Sequence, residues 1–168
     1  MLGQTTNPML AKAEEGIQAK VKPAMQANLS KVVHAGLTIM YSPQMADARN
    51  KHLSEVTDFV GEAGKGSARM IYNLYLQSKK KMPLDIVVPA CMIFAFEYLD
   101  LIEKAGKIKV TPDVISQVTQ GVSEAVLPMF GVTPEKMATL MQQTQQKQAQ
   151  GQTPAKPQGI IAGAQGAA

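Results

Sequence analysis

The feature of this sequence that most constrains its fold is a helix-start signal that recurs along the chain. At four places a residue whose side chain can accept a hydrogen bond stands directly before proline. Such an oxygen accepts from the free N–H groups of a first helical turn, and proline at the first helical position gives up a donor that has no partner there. The four pairs are Asn7-Pro8, Ser42-Pro43, Thr111-Pro112 and Thr133-Pro134. Their spacing predicts an all-α fold.

Two further starts, near Pro23 and in the region 83–89, complete a set of six predicted helices. Gly106 and Gly131 stand where C-terminal caps belong. The stretch KIKV at 107–110 is too short to build a sheet and predicts a connector. The six predicted helices cover 8–21, 24–41, 43–78, 86–105, 112–128 and 134–148.

The predicted third helix, 43–78, has a heptad pattern. Apolar and small residues recur at spacings of three and four, and charged residues fall on the opposite face. The first series is Leu53, Val56, Val60, Ala63, Ser67, Met70 and Leu74, and the charged series is Lys51, Glu55, Asp58, Glu62, Lys65 and Arg69. Gly61, Gly64, Ser67 and Ala68 predict the close approach of another helix, and the glycines leave open a hinge instead of one unbroken rod.

The most apolar passage is LDIVVPACMIFAFEYLDLI, at 84–102. Between Asp85 and Glu97 lies only IVVPACMIFAF, whereas a helix that spans a bilayer needs about 20 apolar residues. Further along, Glu97, Asp100 and Lys104 share one stripe, so the pattern predicts a helix that is buried centrally and surfaces at its end. We expect this segment to be surrounded by protein. Membrane contact would require many copies to combine their apolar faces.

The composition favours a chain that associates with copies of itself. Charged residues make up 18 % of the sequence, below the roughly 25 % of soluble chains, so little charge is available to coat a monomer. Methionine, which adapts to irregular contacts, occurs 11 times, and tryptophan is absent. We therefore expect a homo-oligomer whose core and subunit contacts come from two helices. The assigned residues are Leu53, Val56, Val60, Gly61, Ala63, Gly64, Met70, Leu74, Ile86, Val87, Met92, Ile93, Phe94 and Phe96.

The chain is expected to form one helical domain, 1–141, followed by a tail. The tail, 142–168, is rich in Gln, Ala, Gly and Pro, a composition that buries too little apolar surface to order itself. It is expected to be disordered or to be ordered by a neighbouring subunit. The first residues lack the features of a signal peptide, which predicts synthesis in a cytoplasm.

Groups able to carry out chemistry are few. The lone Cys91 sits among apolar residues and is expected to be buried and inert. The sequence GKGS at 64–67 is not a phosphate loop, because Phe59 occupies the first glycine position and Gly66 replaces the Ser or Thr. No catalytic residue, metal site or cofactor is predicted. An enzyme remains an alternative, in which His34 or His52 would lie beside carboxylates in a pocket.

The charge balance permits contact with phosphates without requiring it. The formal net charge is +4 and the isoelectric point is near 9.2. Lys79, Lys80 and Lys81 form the single run of like charges. Such a run is typical of a solvated helix C-terminus, where cations suit the helix dipole, or of non-specific contact with double-stranded DNA.

The Met-rich stretch KVKPAMQANLSKVVHAGLTIMYSPQM, at 20–45, and the tail QQTQQKQAQGQTPAKPQGIIAGAQGAA give a general resemblance to small internal, or ejection, proteins of short-tailed bacteriophages. The resemblance implies a virion protein that is made in the host cytoplasm and packed near the portal. It also implies exit ahead of the genome and assembly in the host envelope into a channel for DNA. The implied partners are the portal, tail or larger ejection proteins, double-stranded DNA and the host membrane. A head-to-tail connector, or another portal-associated structural protein, and a non-specific DNA-binding accessory protein are the alternatives.

Overall fold

Helices make up most of the chain that the computed structural model describes, which is residues 5–131. Short 3-10 turns at Pro43–Met45 and Leu84–Ile86 lead into the third and fifth helices. Residues 5–131 contain no strand, and the all-α prediction is confirmed for this part of the chain. The helices are α1 (Pro8–Lys20), α2 (Pro23–Met40), α3 (Ala46–Glu55), α4 (Phe59–Gln77), α5 (Val87–Lys104) and α6 (Pro112–Met129). The predicted helix 134–148, the boundary at 141 and the tail 142–168 lie outside the described residues.

Two of the predicted helix starts are capped as the sequence suggests. The Asn7 side-chain oxygen accepts from the N–H of Met9 at 2.9 Å, and the Thr111 hydroxyl accepts from the N–H of Val114 at 3.3 Å. Ser42 differs, because its side chain makes no cap hydrogen bond and the chain first forms a 3-10 turn. The cap-and-proline signal therefore locates a helical start at all three pairs within residues 5–131, but not the type of helix.

The core is built around α5, which packs against α1, α2, α4 and α6. Its side chains are buried on every face near the middle, as expected for a helix that is apolar all round. Gly36 of α2 lies so close to Phe94 that an added Cβ would stand 2.2 Å from the ring, so α2 depends on that glycine to reach α5. Fully buried apolar residues include Ile86, Ala90, Cys91, Ile93, Phe94, Ala95, Leu99 and Ile102.

The second close contact joins α4 to α6. A Cβ added to Gly64 would lie 2.9 Å from the carbonyl carbon of Gly121, so the two backbones approach at a distance that no larger residue permits. Ala63, Ser67 and Ala68 around this point are buried. The small residues of α4 thus lie where another helix packs.

The prediction of one continuous helix over 43–78 is wrong. The first part ends at Glu55, Val56 adopts an extended backbone (φ −72°, ψ 133°), and α4 begins at Phe59. The reason is a cap: the Asp58 carboxylate accepts from the N–H of Gly61 at 2.9 Å and starts a new helix. The break therefore lies before the glycines, and the proposed hinge inside Gly61–Gly64 does not occur.

Candidate functional site

A groove opens between α3 and the body of the bundle, with a volume of about 370 Å³. The C-terminal end of α2, the inner face of α3, and parts of α4 and α5 supply its walls. Most of the lining is apolar, and concave apolar pockets of this size are where proteins commonly bind small ligands. The apolar lining includes Ile39, Met40, Met45, Ala63, Met70 and Leu101.

The groove exists because α3 does not pack closely against the helices opposite it. Met45, Ala48, Arg49 and His52 follow the spacing of one helix face and all line the groove, yet no residue of α3 is buried. Two hydrogen bonds hold the helix in place. Arg49 Nη1 donates to the Met40 carbonyl at 2.8 Å, and His52 Nε2 lies 2.9 Å from the hydroxyl of Tyr98. The main feature of α3 is therefore an inward face that contacts the bundle through polar side chains and buries none of its residues.

The polar groups of the groove are a histidine, a tyrosine, a serine and three charged side chains. Burial, and then the charge of Glu62, raise the pKa of Tyr98 to about 12, so its hydroxyl keeps its proton at neutral pH. Arg49 and Arg69 supply two positive charges against the one negative charge of Glu62. Excluding His52, the fixed charges of the groove sum to +1.

The groove has only part of what the enzyme alternative requires. His52 lies in a pocket, but its hydrogen-bond partner is Tyr98 and not a carboxylate. His34 is exposed on α2. Among residues 5–131 no group of three or more His, Cys, Asp or Glu side chains could hold a metal ion.

A second polar cluster lies inside the molecule, where the segment Thr5–Asn7 crosses α5. We call this segment the strap. The Thr5 backbone N–H donates to Glu97 at 3.1 Å, and the N–H groups of Thr6 and Asn7 donate to Asp100 at 3.2 and 2.9 Å. The backbone N–H groups of three successive residues thus donate hydrogen bonds to carboxylates on one face of α5.

The strap explains why the prediction for one stripe of α5 is only partly right. The stripe was expected to surface at the end of α5, and Lys104 is exposed there, but Glu97 is 0 % exposed and Asp100 is 1 % exposed. Their oxygens are hydrogen-bonded inside the fold, which removes most of the cost of burial. Burial by itself raises the pKa of Asp100, but hydrogen bonds from Lys104, Asn7 and Thr6 outweigh it and hold the pKa below its ordinary value.

Glu14 of α1 completes this cluster. It is fully buried, and one of its oxygens accepts from the Thr5 hydroxyl, while the other has no hydrogen-bond partner within residues 5–131. Burial raises the pKa of Glu14 to about 7, and the nearby charges of Glu97 and Asp100 act in the same direction. The cluster therefore connects α1, the strap and α5, and it contains one buried carboxyl group, that of Glu14, whose protonated form is favoured.

The residues predicted for core and subunit contacts divide between the core and its margin. The larger group is covered within a single chain, because α5 lies at the centre of the bundle. Met70 lines the groove, whereas Met92 lines a separate shallow cavity beside α1. The buried residues are Ala63, Gly64, Leu74, Ile86, Val87, Ile93, Phe94 and Phe96, and the half-buried ones are Leu53, Val56, Val60, Gly61, Met70 and Met92.

The lysine run lies in the turn that ends α4. The Lys80 N–H donates to the Tyr75 carbonyl at 3.0 Å and the Lys79 N–H to the Leu76 carbonyl at 2.9 Å, the two bonds of a Schellman motif. Lys79 and Lys80 have φ values of 54° and 61°, in the left-handed region. All three lysines are exposed, and none forms an ion pair within residues 5–131.

Cys91 is buried, as predicted. Its relative exposure is 0 %, and burial raises the pKa of its thiol to about 12. A thiol in this state is a poor nucleophile, because the thiolate is the reactive form.

The groove was not foreseen from the sequence. The signal that could have indicated it is the spacing of Met45, Ala48, Arg49 and His52, which marks one face of a short helix, but the assumption of a single long helix obscured that face.

Comparison with family models, curated proteins and solved structures gives no match to this chain. None of the helices in residues 5–131 combines the length and hydropathy that a membrane crossing requires.

Proposed function

We propose that this chain is a structural protein of a tailed-bacteriophage particle, of the internal or ejection type, that acts through contacts with copies of itself and with DNA and not through catalysis. The resemblance of its Met-rich helices and its Gln-, Ala- and Gly-rich tail to such proteins supports the proposal. So does the all-helical fold of residues 5–131.

The observation that carries the proposal is the chemistry of one end of the bundle, which we call the basic end. It comprises the turn Lys79–Lys81 and the nearby exposed residues Leu76 and Leu84. Shortly after this turn in the sequence, Asp85 forms an ion pair with Lys22 at 2.9 Å. Exposed cations without partners attract phosphates, and apolar side chains beside them offer contact between subunits.

The backbone of the lysine turn argues that these residues do more than cap a helix. In the same motif at the end of α5, the left-handed position is held by Gly106, with φ 68°. The motif after α4 places Lys79 there and adds Lys80 in the same strained region. A non-glycine residue in this region costs about 1–2 kcal/mol, and such strain is often retained where the side chains serve a function.

The channel form of the proposal needs a rearrangement that the connector form does not. Ile86 to Phe96 is covered inside one chain, so those residues reach lipid or other subunits only if α5 leaves the core. A head-to-tail connector, or another portal-associated structural protein, uses the folded surface as it stands. Both forms share the basic end, which the following experiment examines.

The test of DNA contact is retention of a short duplex by the full chain at about 50 mM and 200 mM salt. We expect binding that weakens steeply with salt, because displaced counterions dominate phosphate contacts. Replacing Lys79, Lys80 and Lys81 by Gln should reduce the slope of log K against log salt by up to about 3.

The matched control replaces three exposed lysines on other surfaces, Lys12, Lys31 and Lys65, by Gln. This control removes the same amount of charge. Because its lysines lie outside the basic end, most of the retention should remain. Equal losses in the two triple variants would contradict a contact at the basic end. Absence of retention even at 50 mM salt would remove DNA as a partner.

A further inference from the structure

We propose that the groove between α3 and α4 is a binding site for a single-chain amphiphile with an anionic head group, of the class of a long-chain carboxylate. This site is separate from the basic end and does not depend on contact with DNA. Its occupant is argued from three properties of the groove: the unfilled inner face of α3, the apolar lining and the placement of positive charge.

The first property is the gap itself. One wall presents Met45, from the 3-10 turn before α3, and Ala48 of α3, and the opposite wall presents Met70 and Leu101. The two walls enclose about 370 Å³ instead of packing on each other. The exposure of Met45 is 43 % and that of Ile39, at the rim, is 41 %. Filling the gap with an alkyl chain would remove these apolar surfaces from water, which is the main source of affinity for such a ligand.

The second property is the adaptability of the lining. Met40, Met45 and Met70 are unbranched and flexible, and methionine fits irregular apolar ligands better than rigid side chains do. A cavity of this volume lies near the lower end of the range for small-molecule sites, about 300–1,000 Å³. It therefore suits one alkyl chain and not a two-chain lipid.

The third property is charge. Arg49 is fixed by its bond to the Met40 carbonyl, and one guanidinium nitrogen in that bond leaves other N–H donors for a ligand. Arg69 lies on α4 at the same groove, and Glu62 is the single carboxylate that residues 5–131 contribute to the lining. Guanidinium groups bind carboxylates in a planar, two-pronged geometry, so the head group that fits this groove is anionic.

The experiment compares three ligands that share a twelve-carbon chain and differ only in the head group: dodecanoate, dodecanol and dodecyltrimethylammonium. Each is titrated calorimetrically into the full-length protein below its micelle concentration. Dodecanoate should bind at least about tenfold more tightly than dodecanol, and the cationic compound should bind most weakly. Replacing Arg49 and Arg69 together by Gln should remove the preference for dodecanoate over dodecanol.

A second variant fills the groove without disturbing the fold. A Cβ added to Gly66, which lines the groove, meets no atom within 4 Å, so Gly66→Leu should occupy the ligand's place and weaken dodecanoate binding at least about tenfold. Gly16→Leu is the matched control. Gly16 also has open space beside it, but it lies on α1 and does not line the groove.

Both glycine variants should remain folded, because each replaces a helical glycine by a better helix former. Loss of binding in Gly66→Leu alone supports the site. The proposal is overturned if dodecanoate does not bind, if the three head groups bind equally, or if Gly66→Leu and Gly16→Leu bind dodecanoate as the unaltered chain does.

Discussion

Glu14 is the residue whose chemistry departs most from what its neighbours in the sequence suggest. It is preceded by Ala13 and followed by Glu15 in an ordinary amphipathic helix, yet its carboxyl group is buried beside Glu97 and Asp100. A buried carboxyl group near other carboxylates favours its protonated form. The Thr5 hydroxyl of the strap is therefore hydrogen-bonded to a carboxyl group, that of Glu14, which ionises within the physiological pH range.

We predict that the folded state loses stability as pH rises from about 4.5 to 7. In this window the pKa of Glu14 is about 7 in the folded state and near 4.5 in the unfolded chain, so the folded state binds more protons. Stability then falls with increasing pH, by about 3 kcal/mol in total. Urea unfolding across this range measures the effect.

Glu14→Gln should flatten this slope, because the amide cannot ionise, whereas Glu15→Gln at an exposed neighbouring position should leave it unchanged. Asp100 acts in the opposite sense. The lowered pKa of Asp100 adds stability to the folded state, and this stability is lost as the pH falls below the ordinary pKa of an aspartate. The effect of Asp100 therefore lies at lower pH than that of Glu14. An equal slope in Glu14→Gln and the unaltered protein would refute the assignment.

Lys79 offers a second prediction at the scale of one residue. Replacing it by Gly should raise the free energy of unfolding by about 1 kcal/mol, because its φ of 54° is strained for lysine and ordinary for glycine. The same variant should bind DNA less tightly. Lys81→Gly serves as the control: Lys81 does not have a positive φ, so no such gain in stability is expected there. Thermal and urea unfolding measure the difference.

At the scale of helices, the sequence predicted starts well and continuity poorly. Cap residues act locally, so Asn7 and Thr111 could be identified without knowledge of the fold. The break at 56–58 was harder to find, because Val56 continues the apolar spacing and Asp58 fits the charged face of a longer helix. Only the packing of α4 against α5 and α6 decides that Asp58 serves as a cap.

The strap cluster and the groove were even harder to predict from the sequence, because both depend on tertiary structure. The burial of Glu97 and Asp100 requires the strap, which is more than 90 positions away in the chain. Periodicity predicts a polar stripe on α5 but cannot tell whether water or another segment satisfies it. The groove likewise requires α3 to be a separate helix, which the heptad pattern concealed.

Two glycines on α4 allow a matched test of how the helices meet. Gly64→Ala should lower the free energy of unfolding by about 1–3 kcal/mol, because the new methyl group would overlap the backbone of Gly121. Gly66→Ala should raise it by about 1 kcal/mol, because that position has open space and alanine is the better helix former. Chemical unfolding of both variants measures the contrast, and effects of the same sign would contradict the proposed packing.

At the scale of the whole molecule, the question is how much apolar surface the fold leaves uncovered. The exposed large apolar residues include Leu76 at 43 % and Leu84 at 59 %, both at the basic end. Ile39 and Met45 lie at the groove instead. The most apolar helix, α5, is already covered within one chain, so the self-association that we propose would use exposed surfaces such as these.

We predict concentration-dependent self-association of the full chain in sedimentation velocity. Replacing Leu76 and Leu84 together by Gln should weaken it, because their contribution is apolar contact at an exposed surface. The control replaces Met9 and Ile39, which are also exposed but lie elsewhere, by Gln. A single monomeric species at all accessible concentrations, with and without liposomes, would refute both the assembly and the channel.

The strap has a consequence for how the chain is made. Thr5 and Glu14 leave the ribosome before the α5 residues that pair with the strap, which follow the strap by more than 90 positions. Until then the N–H donors of the strap lack their carboxylate partners on α5 and depend on water. Docking of the strap therefore waits until α5 has been made, and α1 stays accessible to other molecules until then.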